Sequence, residues 1–149
     1  MRCERVFRII AVGKMRDRQL GAKCDEMLKW ITKYGKCELS VIPDSDIQKE
    51  SQALVRELDH EKNAVKIVLS EEGVEWSTVQ FASKLEAIDR KIVFVIGGPF
   101  GMDESVKQRA DHLWSLSRLT FTHEMARFLL CEQIYRALNF NAGGSYHHV

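Results

Sequence analysis

Hydrophobic and polar positions change period along this chain in alternating blocks. Residues 6–12 form a short apolar-rich run ending at Gly13, which predicts a strand. Over residues 17–34 the period becomes helical. Leu20, Cys24, Met27, Leu28, Ile31 and Tyr34 keep one face apolar, with Gly35 expected just past the helix end. Residues 37–42 predict a second strand, with Leu39 and Val41 on one face and Pro43 as the stop. Ser45 and Gln48 have the spacing of a capping box, so a helix is expected over 46–59. Residues 64–69 read as a third strand. Ser77 and Gln80 repeat the capping-box spacing ahead of a helix lined by Phe81, Leu85 and Ile88. Residues 92–96 are continuously apolar, as expected of a strand covered on both faces. Asp103 is expected to cap a helix reaching about His112, and residues 114–116 to form a fifth short strand. Thr120 or Thr122 is expected to start a final helix through Leu138.

Strands separated by helices predict an α/β fold with a mostly parallel sheet flanked by helices. There is no internal repeat and no Pro/Gly-rich linker, and 149 residues suit one domain over 1–149. In parallel sheets, ligands bind beyond the carboxyl ends of the strands. The loops after Leu69, Ile96 and Leu116 are therefore the candidate ligand loops.

Composition narrows the class. The chain is 45% hydrophobic and 29% charged, an ordinary globular balance. No stretch approaches the roughly 20 apolar residues that span a bilayer. The arginine-broken start does not resemble a signal peptide, so a cytoplasmic protein without membrane association is expected. Cys3, Cys24, Cys37 and Cys131 form no Cys-x-x-Cys pair and have no histidine at zinc-finger spacing, so reduced thiols and no metal are expected. The net charge is only +1, but residues 1–36 hold ten Lys/Arg against four acids. Such asymmetry suits either a polyanionic partner or a solvated helix face.

Candidate chemistry concentrates in the last third. A glycine turn, GGPFG at 97–101, follows the apolar strand. It has neither the Lys-Ser/Thr of a phosphate loop nor the G-x-G-x-x-G spacing, so it is a plain tight turn or a ligand contact of another kind. The segment SRLTFT at 117–122 could offer backbone groups to a flat ring, or serve as an edge strand or helix cap. His123 heads the last helix, where the dipole disfavours a charged imidazole and suits a proton acceptor; a surface capping role is the alternative. Glu132 and Arg136 have the favourable i, i+4 order of a simple ion pair, although an anion-binding arginine would look the same. Tyr146, His147 and His148 stand almost at the chain end, an unusual concentration of functional groups.

In combination these motifs are specific. The sequence resembles the SPOUT-class methyltransferases of the RlmH type, which methylate N3 of a pseudouridine in large-subunit ribosomal RNA. The resemblance is carried by AVGK at 11–14, GGPFG at 97–101, LSRLTFTH at 116–123, EQIYRA at 132–137 and the Tyr146-His147 ending. Residues 43–62 match poorly. The resemblance implies an α/β domain with a C-terminal trefoil knot, a homodimer, and S-adenosyl-L-methionine as cofactor. It implies a cofactor pocket lined by Leu69, Gly98, Ser117, Arg118, Leu119, Thr120, Phe121 and Thr122. It implies catalytic candidates His123, Arg136, Tyr146 and His147, with Arg127 structural or RNA-facing. Two departures stand out: Thr122 replaces the usual proline before the helix histidine, and His148 replaces the usual basic residue after Tyr-His. Three other readings remain open at this level. One is a SPOUT enzyme with a different RNA target or acceptor atom. Another is a non-catalytic ribosome- or RNA-binding protein of the same fold. The third is a flavodoxin-like nucleotide binder.

Overall fold

The structure, a computed structural model, describes residues 5–148. Five parallel strands, β1 (Arg5–Val12), β2 (Gly35–Ile42), β3 (Val65–Glu75), β4 (Ile92–Ile96) and β5 (His112–Ser115), form one sheet in the order β2-β1-β4-β3-β5. Helices α1 (Arg18–Ile31), α3 (Thr78–Ala87) and α5 (His123–Asn141) cover one face. Helices α2 (Ile47–His60) and α4 (Glu104–Lys107) cover the other. The central strand β4 is buried at every residue because helices lie on both of its faces. Phe7, Ile9, Phe94, Phe81 and Leu130 build the first core; Ile10, Val68, Val93, Leu54 and Leu58 build the second. No helix among the described residues is long and apolar enough to cross a membrane.

The expected elements are present, with five local corrections. Helix α2 is capped by Asp46, whose Oδ1 accepts the Lys49 N–H at 2.8 Å; Ser45 instead donates its N–H to Glu50 Oε2 at 2.7 Å. Helix α1 stops at Ile31, and Gly35 opens β2 opposite Arg5 rather than following the helix as its stop. Helix α4 is a single turn and does not reach His112. Asp111 ends it by a reciprocal pair with β3: its N–H donates to Lys66 O and its Oδ2 accepts the Lys66 N–H, each at 2.8 Å. This pair draws residues 112–115 into the sheet, so β5 starts two residues earlier than expected and excludes Leu116. Strand β3 in turn runs past Leu69 to Glu75, with a register shift against β5 between Leu69 and Val74. Residues 70–73 are the extra residues of that irregularity, and they form a lip at the carboxyl end of the sheet.

The cysteines are packing residues. Cys24 and Cys131 are buried and Cys37 is partly so, all as free thiols, whereas Cys3 lies outside the described residues. Burial pushes the Cys37 thiol up to about 12. The contact with Cys24, and burial, push Cys131 upward as well.

Two side chains of α5 tie its first turns to the end of β1. Arg127 is 3% exposed, and its Nη2 donates to Gly13 O at 2.6 Å and Val12 O at 3.3 Å. The expectation that Arg127 is structural or RNA-facing thus resolves, within one chain, to structural. Burial lowers its pKa, partly opposed by the neighbouring Cys24 and Cys131. Glu124 accepts the backbone N–H groups of Arg16 (2.8 Å) and Asp17 (2.9 Å) through Oε1, pinning the loop before α1. These bonds, Asp17's first, hold the Glu124 carboxyl below its ordinary range.

Two outcomes follow. A Cβ at Gly73 would lie 2.5 Å from the Leu113 carbonyl and Trp114 N, which are main-chain atoms that cannot rotate away. Gly73→Ala should therefore cost about 1–3 kcal/mol in urea denaturation through overpacking. For Glu124, the folded pKa lies below the unfolded one. The native state therefore binds fewer protons, and the stabilisation is present at neutral pH and is lost as pH falls through the folded value. Glu124→Ala should cost about 0.5–1 kcal/mol at pH 7 after solvent screening. In Tm-versus-pH scans its deficit should shrink below the ordinary glutamate pKa of about 4.3. A deficit that stays constant into acid would show that the ionised carboxylate is not what pins the loop.

Candidate active site

The three loops singled out from the sequence converge. They enclose a cleft of about 1090 Å³ at the carboxyl ends of β3, β4 and β5. That exceeds the roughly 300–1,000 Å³ typical of small-molecule sites. One wall is the β3 lip, Leu69 to Glu72; the second is the glycine turn from Gly97 to Met102; the third runs from Trp114 to Glu124. The convergence follows from the strand order: β4 and β3 are neighbours, and β5 lies beside β3. The chain must then return from edge strand β5 to the end of β1, where α5 begins.

The third wall is held by its own hydroxyls. Ser115 Oγ donates to Ser117 O at 2.8 Å, Ser117 Oγ accepts the Leu119 N–H at 3.0 Å, and Thr122 Oγ1 accepts the Met125 N–H at 3.1 Å. Residues 117–121 are therefore a loop, and Thr122 is the helix cap. Thr122 fills the cap position that its departure from the family pattern left open.

Of the sequence-predicted cofactor residues, Leu69, Gly98, Ser117, Leu119, Thr120, Phe121 and Thr122 line the cleft, together with His123. Arg118 does not; its side chain is 91% exposed and its Nε meets Glu75 Oε1 at 3.0 Å, on the outer side of the loop. At Gly98 a Cβ would come within 3.1 Å of both Glu50 Oε1 and Val12 Cγ1. A side chain at 98 would therefore be tight against α2 and β1 behind the turn, and those neighbours would have to give by a few tenths of an ångström.

Sequence reasoning missed the polar lip. Asp17, Glu71, Glu72 and Glu124 line the cleft against a single lysine, Lys107, whose Nζ pairs with Glu72 at 3.2 Å. No motif marks these acids, because a register shift and a helix cap bring them together. The buried Trp114, a lining residue, has an indole N–H without a partner. Leu69, Ile96 and Leu116 supply apolar surface. Such a site suits a flat, nucleoside-sized ligand carrying positive charge. Among the described residues no group of three His, Cys, Asp or Glu is arranged to hold a metal ion.

Arg136, Tyr146 and His147 do gather, but elsewhere. Arg136 pairs with Glu132 at 2.6 Å, confirming the helix ion pair, and its guanidinium lies 4.6 Å from the Tyr146 ring centre. Tyr146 donates its hydroxyl to Glu132 at 3.2 Å and its N–H to Asn139 Oδ1 at 3.1 Å. Arg136 Nη1 lies 3.2 Å from His147 Nδ1; a guanidinium only donates, so Nδ1 accepts. Glu132 raises the Arg136 pKa, whereas burial and then Glu132 raise that of Tyr146. The tail is thus docked on α5. At 1.5 Å per residue, Arg136 lies about 20 Å along the helix from His123, so within one chain this cluster and the cleft stand apart.

The comparisons agree with this architecture. The family model described as predicted SPOUT methyltransferase matches residues 6–147. A protein of Kosmotoga olearia named ribosomal RNA large subunit methyltransferase H is 37% identical over 153 residues, covering 94% of this chain and 97% of that one. A Prochlorococcus marinus protein of the same name is 39% identical over 142 residues, covering 95% and 94%. A solved structure of a probable methylase family protein from Haemophilus influenzae superposes with a TM-score of 0.62 at 14% identity, over 96% of this chain and 70% of that one, which supports the fold. With the strand-end cleft, the glycine turn and a match spanning nearly every described residue, the chain belongs to the SPOUT methyltransferase family.

Proposed function

We propose that this chain, a single domain over residues 1–149, is an S-adenosylmethionine-dependent methyltransferase of large-subunit ribosomal RNA. Its acceptor would be N3 of a pseudouridine, as the RlmH-type resemblance implies. The observation that carries this is the cleft: three strand-end loops join an apolar floor and an acidic lip in one concavity. The residues fit the cofactor. Apolar surface from Leu69, Ile96 and Leu116 suits adenine, and the carboxylates of Asp17 and Glu71 suit its cationic end. When bound, the cofactor supplies a methyl group already activated by a sulfonium. The protein has to align donor and acceptor at about 3–3.5 Å and remove the N3 proton as the N–C bond forms.

His123 is the proton acceptor best placed within one chain. It lines the cleft, and its ring makes no hydrogen bond among the described residues. The Tyr146-His147 tail would join the site from a partner subunit. Met125, Leu129, Glu132 and Arg136 form one stripe of α5 from the cleft end to the tail end, and Leu129 belongs to neither core. A two-fold dimer pairing these stripes antiparallel sets the tail of each subunit beside the cleft of the other. The trefoil threading belongs to the same proposal. Residues 116–122 return from edge strand β5 to β1, crossing the ends of β3 and β4.

Three outcomes test this. Thr120→Trp fills the exposed cleft wall and should weaken S-adenosylmethionine binding at least tenfold by calorimetry, with Tm unchanged. Transfer of labelled methyl from S-adenosylmethionine to ribosomes should be lost when the chain is truncated after Gly144, with cofactor binding kept. Binding without transfer in the parent protein would instead support the non-catalytic reading. Mixing the Thr120→Trp and truncated chains should restore about a quarter of parental activity if the tail acts across the dimer. A monomer by light scattering at micromolar concentration would remove that arrangement.

A further inference from the structure

One buried carboxylate has no part in the site described above. Glu50, in the first turns of α2, is 2% exposed. Its Oε2 accepts the Ser45 N–H at 2.7 Å, while its Oε1 is buried with no hydrogen-bond partner. Leaving an acceptor on an acidic group dry and unpaired is costly, by more than a neutral one. Oε1 lies against the back of the glycine turn, 3.1 Å from where a Gly98 Cβ would be. The next residue, Ser51, is fully buried and accepts the Asp103 N–H through Oγ at 2.9 Å. Two consecutive residues of α2 therefore back the wall formed by 97–103, one at each end. Ser51 has completed its bond; Glu50 has not.

We propose that Glu50 is a positioning residue for the cofactor cleft. Its free Oε1 is the acceptor for a backbone N–H of the glycine turn when ligand fills the cleft and draws that wall into its working position. The inference rests on the reading that the cleft holds S-adenosylmethionine. The geometry limits the partner. Oε1 is sealed from solvent and faces Gly98 and Val12, so its donor is assigned to the peptides of the turn it packs against. Glu50 does not line the cleft, so its effect on ligand must pass through the turn. The chain's glycine at 98 is consistent with this, because a side chain there would occupy the space between carboxylate and turn.

The test uses Glu50→Gln in the full chain. The amide keeps an oxygen for the Ser45 N–H, but offers an NH2 donor where the turn needs an acceptor. The parent should show slower amide hydrogen exchange at residues 97–101 when S-adenosylmethionine is added. Glu50→Gln should lose that ligand-dependent slowing and bind the cofactor about tenfold more weakly, with Tm within a few degrees of the parent. Glu50→Asp, which keeps the charge on a shorter stem, should recover part of the affinity. Gly98→Ala combined with Glu50→Gln should weaken binding less than the product of the single effects, because both act on one contact. Parental affinity and parental slowing of exchange in Glu50→Gln would overturn the proposal. So would an equal loss of stability with and without ligand, which is the mark of a purely structural carboxylate. A parent that does not bind S-adenosylmethionine at all would instead overturn the cofactor reading.

Discussion

The buried guanidinium of Arg127 is the contact on which the cleft depends. Its Nη2 donates to the carbonyl of Val12, the last residue of β1, and to that of Gly13, the first residue past it. A buried charge is tolerated only with such partners. The consequence is positional: α5 starts beside β1, near the middle of the sheet, although the strand before it, β5, lies at the edge. Residues 116–122 must then cross the strand ends, and in doing so they roof the space above β3 and β4. Glu124 adds a second tie, to the loop before α1, and brings Asp17 to the same rim.

The walls of the cleft differ in how they are made. The loop from Trp114 to Thr122 is set by local hydroxyl bonds of Ser115, Ser117 and Thr122. The lip of β3 is a register irregularity made possible by the close approach of Gly73 to β5. The glycine turn is supported from behind by α2. A site assembled from a cap, a bulge and a braced turn sets apolar residues and carboxylates from distant parts of the chain around one cleft. Apolar surface of that kind suits a flat ring, and the acidic lip suits positive charge.

The opposite end of α5 uses different physics. Tyr135, Tyr146, Phe140 and His147 meet edge to face, and Arg136 lies over Tyr146 while bonded to Glu132. These contacts order a chain end that would otherwise be loose. The cleft end and the tail end of the same helix are therefore about 20 Å apart by its rise per residue, and within one chain they do not meet.

Much of the fold was legible in the sequence, because burial imposes periodicity. The five apolar runs, the helical stripe of α1, the capping box at Ser77 and the continuous run Ile92–Ile96 each follow from which faces are dry. The motif loops could be placed at strand ends for the same reason. What the sequence could not decide were contacts between residues far apart in the chain. Asp111 bonds Lys66 and shortens α4; Arg118 turns outward to Glu75; Arg127 is buried on β1. The acids of the lip and the unpaired oxygen of Glu50 carry no motif, since their meaning lies in what packs behind them. Periodicity records the environment of each residue one at a time, whereas a pairing across forty or a hundred residues exists only once the sheet order has brought its two halves together.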